Sequence, residues 1–150
     1  MLKTMNLVIK LNEPKDDHLH RVIVSVGSNI EADRNIARCY EILAAETTLL
    51  AAADVIQTSP VGYQFQPDFL NTAYLIETPL DRVPFNHYLK SVEDRMGRLK
   101  GPIKSGPRTI DLDIVIWDGV ILTDDFYCHD YVRVPVQELL DTCAMVARRP

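Results

Sequence analysis

The sequence predicts an α+β fold, an antiparallel sheet with helices packed on it, and three observations carry that expectation. Runs with two-residue apolar alternation recur at Arg21–Val26, Phe69–Thr78 and Ile110–Trp117. Stretches with helical apolar spacing lie between them, from Asp33 to Glu46 and from Pro84 to Met96. With a further strand at Leu49–Gln57, the order is β-α-β-β-α-β, that of a ferredoxin-like sandwich.

The elements follow from local chemistry. Residues 1–20 read as an N-terminal extension, with Leu7-Val8-Ile9-Lys10-Leu11 as an extra edge strand and Asn12 to His20 as a polar linker; the globular domain is expected over 21–150. Valines 22, 24 and 26 mark the first strand. The first helix builds its apolar face from Ile36, Cys39, Tyr40 and Leu43. A turn-rich loop runs from Ser59 to Pro67. Pro84 suits the first turn of the second helix, whose core face is Phe85, Leu89, Val92 and Met96, and Gly97 ends it. Along Ile110–Trp117, strict alternation sends Ile110, Leu112, Ile114 and Ile116 to one side and Thr109, Asp111 and Asp113 to the other. Asp118-Gly119 is a hairpin signal before a short strand at Val120–Leu122. Pro135 is expected to open a last helix with Val136, Leu139, Leu140 and Cys143 inward.

Composition bounds the function. The chain has 150 residues, 47% apolar and 25% charged, with a net charge of −5. That is one ordinary domain without the broad basic surface that nucleic-acid binding requires, so an RNA-binding sheet is disfavoured. No apolar run approaches a membrane span, no signal-peptide region is visible, and Cys39, Cys128 and Cys143 form no metal-ligand pattern. The expectation is a cytoplasmic monomer acting on small molecules, with no nucleic-acid or membrane partner.

The chemistry concentrates around Asp111 and Asp113. Alternating acids are often only the solvated face of a sheet. Here two carboxylates about 7 Å apart along the strand repel each other and call for a partner. The stretch before them reverses the chain's overall sign: Arg95, Arg98, Lys100, Lys104 and Arg108, with no acid between. A compact basic stretch facing two carboxylates suits a nucleoside triphosphate with Mg²⁺. Gly97, Gly101, Pro102, Gly106 and Pro107 mark this stretch as a loop, one able to close over substrate. It is not a Walker loop, since Ile103 precedes Lys104 and Pro102 lacks an N–H. Gly27-Ser28-Asn29 lacks the further glycines of a dinucleotide-binding turn.

A second constellation spans Gln57 to Asn71. Tyr63, Phe65 and Phe69 offer flat apolar surface, and Gln64, Gln66 and Asn71 offer amides. Rings that stack and amides that read an edge fit a planar heterocycle, although aromatics tucked onto the core would read the same way.

These pieces resemble the 6-hydroxymethyl-7,8-dihydropterin pyrophosphokinase family over about residues 21–140. The likeness is carried by Val22-Ile23-Val24-Ser25-Val26-Gly27-Ser28-Asn29, by Gln66-Pro67-Asp68-Phe69-Leu70-Asn71-Thr72-Ala73, and most specifically by Gly106-Pro107-Arg108-Thr109-Ile110-Asp111-Leu112-Asp113-Ile114. The resemblance implies a ferredoxin-like sandwich that transfers pyrophosphate from ATP to the hydroxymethyl group of a reduced pterin, releasing AMP. It implies that Asp111 and Asp113 hold two Mg²⁺ ions and that Arg98 and Arg108 bind phosphates. Phe69 and Tyr131 would stack on the pterin, Asn71 would bond its edge, and Thr58 would offer a backbone contact. Glu93 and His129 would lie at the nucleotide.

The sequence also departs from the family pattern. The stretch between His129 and Tyr131-Val132 is about eight residues shorter than expected, Ser105 stands where a tryptophan is common, and Lys90 where a glutamine is common. The shortening keeps a second reading open: a relative that binds pterin or nucleotide without efficient transfer.

Overall fold

The structure, a computed structural model, describes residues 18–97 and 106–150. The expected extension through residue 17, and Arg98, Lys100 and Lys104 of the basic loop, lie outside the described residues. The elements are β1 (His20–Ser28), α1 (Ala32–Glu46), β2 (Thr48–Ala52), β3 (Ile56–Thr58), β4 (Phe69–Thr78), α2 (Arg82–Arg95), β5 (Asp111–Trp117), β6 (Val120–Ile121), α3 (Asp125–Cys128) and α4 (Asp130–Thr142).

The strands form one antiparallel sheet in the order β2-β4-β1-β5-β6, and β3 pairs with β4 beyond the end of β2. β1 is central, and its residues Val22, Ile23, Val24 and Val26 are all fully buried because both sheet faces are covered. Val22, Val24 and Val26 pack with Ile36, Cys39 and Leu43 of α1 and with Phe85, Leu89 and Val92 of α2. Ile23 packs on the opposite side with Val132, Val136, Leu139 and Leu140 of α4. The result is a mixed α/β layering, two helices on one face of the sheet and one long helix on the other.

Several expectations are corrected. The strand expected over Leu49–Gln57 is two strands, because the Asp54 N–H turns out of the ladder to the Glu138 carboxylate at 2.9 Å. Alternation along β5 is broken: Val24 pairs with Ile114 while Ile23 pairs with Ile116, so Val115 is an extra, bulged residue. Ile110 and Leu112 therefore face α1 and α2, while Ile116 faces α4 with Val115. The last helix begins at Asp130, and Pro135 lies inside it, buried, instead of opening it. The short helix α3, which anchors Phe126, was not anticipated. Tyr40 stays partly exposed, edge-on to Tyr74. Arg95, one of the expected phosphate-facing cations, instead makes two bonds to Glu46 at 2.7 and 2.6 Å. Tyr88 adds its hydroxyl to the same carboxylate at 2.8 Å. Hydrogen bonds from Arg95 and then Tyr88 hold the Glu46 carboxyl down at about 2.

The Asp118-Gly119 hairpin forms as expected, with φ of 47° and 82°, the signature of a primed two-residue turn. The Asp118 carboxylate accepts from Arg21 N–H at 2.9 Å and contacts His20 Nδ1 at 2.7 Å, tying the turn to the start of β1. A Cβ at residue 119 would approach the Val146 carbonyl to 3.3 Å in addition to straining φ. Gly119→Ala is therefore expected to lower unfolding free energy by about 1 kcal/mol or more. Urea denaturation measures it, and an unchanged midpoint would contradict the role of the positive φ.

Candidate active site

The site begins where β1 runs out of side chain. Gly27 pairs with Asn71 of β4 on one side and Asp111 of β5 on the other, and Ser25 pairs with Asp113. A Cβ on Gly27 would meet Asn71 Oδ1 at 3.0 Å and a Phe69 ring carbon at 3.8 Å. Small residues in the middle strand thus leave the α4 face of the sheet open at this end. The opening is a cleft of about 690 Å³.

Asn29 locks three chain segments around that cleft. Its Nδ2 donates to Gln66 Oε1 at 2.9 Å and to the Pro67 carbonyl at 3.0 Å. Its Oδ1 accepts from Arg108 N–H at 2.8 Å, and its own N–H donates to the Arg108 carbonyl at 3.1 Å. The neighbouring Ser28 hydroxyl donates to the Thr109 carbonyl at 2.6 Å. The three motifs read separately in the sequence are one hydrogen-bonded unit.

Seven of the sequence-predicted residues line the cleft: Thr58, Phe69, Asn71, Arg108, Asp111, Asp113 and Tyr131. Asn71 Nδ2 donates to Thr58 Oγ1 at 2.5 Å, which orients the amide. Tyr131 enters from the first turn of α4; burial first, then the carboxylates of Asp125, Asp111 and Asp113, raise its hydroxyl above the ordinary tyrosine range. Arg108 folds its guanidinium toward the carbonyls of Gly106 and Pro107 at 3.2 and 3.4 Å.

Two predicted residues sit elsewhere. Glu93 is buried, only 2% exposed, and accepts from Leu112 N–H at 2.7 Å, gripping β5 from behind between the two aspartates. His129 precedes α4 at its N-cap and stacks on Tyr131 with ring centres 5.1 Å apart, outside the cleft lining. Arg98 lies outside the described residues. Of the aromatic and amide side chains in the Gln57–Asn71 stretch, Phe69 and Asn71 line the cleft. Gln66 serves Asn29 and, through Nε2, the Tyr63 carbonyl at 2.5 Å, and Phe65 is 87% exposed.

Sequence reasoning missed Lys90 as part of the site. Its ammonium donates to the Leu112 carbonyl at 2.6 Å, Glu93 Oε2 at 3.1 Å and Asp113 Oδ1 at 3.3 Å. Burial works against its charge, but Asp113, Glu93 and Asp111 together outweigh that and raise it above the ordinary lysine range. The sequence signals were its i,i+3 spacing from Glu93 and its standing where a glutamine is common.

Among the described residues no group of three or more His, Cys, Asp or Glu side chains could cage a metal. Asp111 and Asp113 supply hard oxygen donors from one strand face. That suits Mg²⁺, which takes one or two carboxylates and completes its shell with water and substrate phosphates. The cleft thus has an acidic end able to hold a phosphate-bound cation and an apolar, amide-bearing end formed by Phe69, Asn71 and Tyr131.

Asn29→Ala removes partners from buried polar groups in three segments. It is expected to cost about 2 kcal/mol of stability and to speed hydrogen exchange at the Arg108 amide. Unchanged exchange there would show that the amide is not what holds the segment.

Residues 23–142 match the family described as 7,8-dihydro-6-hydroxymethylpterin-pyrophosphokinase. The chain is 32% identical over 98 residues to the 2-amino-4-hydroxy-6-hydroxymethyldihydropteridine pyrophosphokinase of Bacillus subtilis, covering 63% of this chain and 58% of that protein. It is 30% identical over 110 residues to the protein of the same name from Helicobacter pylori, covering 71% and 68%. It is 28% identical over 127 residues to a folic acid synthesis protein of Dictyostelium discoideum, covering 79% of this chain but 19% of that one. The chain therefore spans less than two thirds of the Dictyostelium and Bacillus proteins.

Proposed function

The chain belongs to the 7,8-dihydro-6-hydroxymethylpterin-pyrophosphokinase family, and on that premise we propose that it transfers pyrophosphate from ATP to 6-hydroxymethyl-7,8-dihydropterin. The supporting observation is the shared cleft: Asp111, Asp113 and Arg108 line the same space as Phe69, Asn71 and Tyr131. A phosphate-handling end beside a ring-holding end is what transfer from a nucleotide to a planar acceptor requires.

In this reading Phe69 and Tyr131 stack on the pterin, and Asn71, oriented by Thr58, bonds its edge. That fixes the hydroxymethyl oxygen for in-line attack on the β-phosphorus. The new O–P bond forms as the α–β bridging bond breaks, AMP leaves, and the hydroxyl proton passes to solvent. Asp111 and Asp113 would hold two Mg²⁺ ions, which when bound would neutralise charge on the triphosphate. Arg108, with Arg98, offsets charge on the transferred group and on AMP. Glu93 contributes from behind β5 by holding the Leu112 N–H, and His129 contributes by its stack on Tyr131.

We also read the sheet as ferredoxin-like. β1, β2, β4 and β5 with α1 and α2 follow the βαββαβ order, β3 and β6 being additions; the neighbour order β2-β4-β1-β5 supports this. The unit is taken as residues 21–150, monomeric and cytoplasmic. Among the described residues no helix is long and apolar enough to cross a membrane.

One observation favours the second reading, binding without efficient transfer. α4 starts directly after His129, and Arg133, the nearest following cation, pairs with Asp130 and does not line the cleft. AMP release from ATP, Mg²⁺ and hydroxymethyl-dihydropterin separates the two readings: turnover supports transfer, and tight pterin or nucleotide binding without AMP selects the alternative. Asp111→Ala and Asp113→Ala are each expected to cut AMP release about a thousandfold or more with near-native circular dichroism. Undiminished AMP release from either would refute the assigned role.

A further inference from the structure

The Lys90 ammonium touches three acceptors, one for each of its N–H groups, and one of them is a carboxylate oxygen of Asp113. This position is not that of a mobile surface lysine. The same ammonium serves Glu93, which is buried, and the Leu112 carbonyl between the two aspartates. Swinging away from Asp113 would also strip a cation from a buried carboxylate, a larger cost than breaking an exposed ion pair. A fixed positive charge thus stands within 3.3 Å of an oxygen that, on the reading above, binds metal.

We propose that Lys90 is the resident counter-ion of Asp113 and makes metal uptake depend on the nucleotide. Without nucleotide, the ammonium satisfies part of the carboxylate's charge and repels an incoming divalent ion. No third protein carboxylate or imidazole is grouped with Asp111 and Asp113 to compensate, among the described residues. A triphosphate brings its own oxygens and negative charge, which outweigh one lysine. Lys90 is accordingly a positioning residue, acting through Asp113 and the strand that carries it. The inference rests on the proposed metal-binding role of the carboxylates.

The test is Mn²⁺ binding, followed by the enhanced relaxation of water protons, with and without α,β-methylene-ATP, an analogue that cannot release AMP. The wild-type protein is expected to hold Mn²⁺ at least about tenfold more weakly without the analogue than with it. Lys90→Gln is expected to bind Mn²⁺ about tenfold more tightly than wild type in the analogue's absence. Adding Asp113→Asn is expected to abolish that gain, and Lys90→Arg, which keeps the charge, to stay near wild type. A purely structural lysine would give no gain in metal affinity on removal. A folded Lys90→Gln protein with wild-type Mn²⁺ affinity overturns the inference. If that variant does not fold, equal wild-type affinities with and without the analogue overturn it. Failure of wild type to take up Mn²⁺ even with the analogue sinks the reading of the site itself.

Discussion

The amide of Asn29 joins segments that lie far apart in the chain, and the geometry of the cleft depends on that join. One side chain accepts from Arg108 and donates to both Gln66 and Pro67. It is 5% exposed, so these bonds compete little with water. Through them the end of β1, the loop before β4 and the segment before β5 share one frame. Arg108 is held at the cleft by its backbone, while its guanidinium folds toward the Gly106 and Pro107 carbonyls.

The sheet then opens a cavity without losing its core. Both faces of β1 are buried along most of its length, and only at Ser25 and Gly27 do side chains shrink enough to admit a ligand. The bulge at Val115 keeps the two halves of β5 compatible. Past it, Ile116 joins the α4 core; before it, Leu112 joins the α1 and α2 core. A strand in strict alternation would send Ile116 to the side of Leu112 and Trp117 to the α4 side; the bulge gives Ile116 to the α4 core and keeps Trp117 with the α1 and α2 core. The bulge thus sets which large side chain of β5 reaches each core, while the carboxylates ahead of it stay on the cleft face.

Several polar side chains that looked functional in one dimension are structural in three. Arg95 and Glu46 close α2 against α1, and Gln66 braces its own loop. Glu93 and Lys90 form a second tier behind the acidic pair, one gripping the β5 backbone and the other countering Asp113. This tier sets how much negative charge the cleft presents before any ligand arrives.

By itself the sequence determined the broad succession of strands and helices apart from α3 and the break at Asp54, the apolar face of α2, the buried Ile36, Cys39 and Leu43 of α1, the span of β4, the Asp118-Gly119 turn and the two carboxylates on one face of β5. These depend on periodicity or on a residue's own backbone preference, which operate over a few positions. Only the tertiary structure decided that Val115 bulges, that Leu49–Gln57 breaks at Asp54, that α4 begins ahead of Pro135, that Arg95 turns from the cleft and that Lys90 enters it. Three of those depend on a partner tens of residues away, Glu138 for Asp54, Glu46 for Arg95 and Asp113 for Lys90. Long-range pairs leave no periodic trace in one dimension, because what selects them is the packing of whole elements and not the residues beside them in the chain.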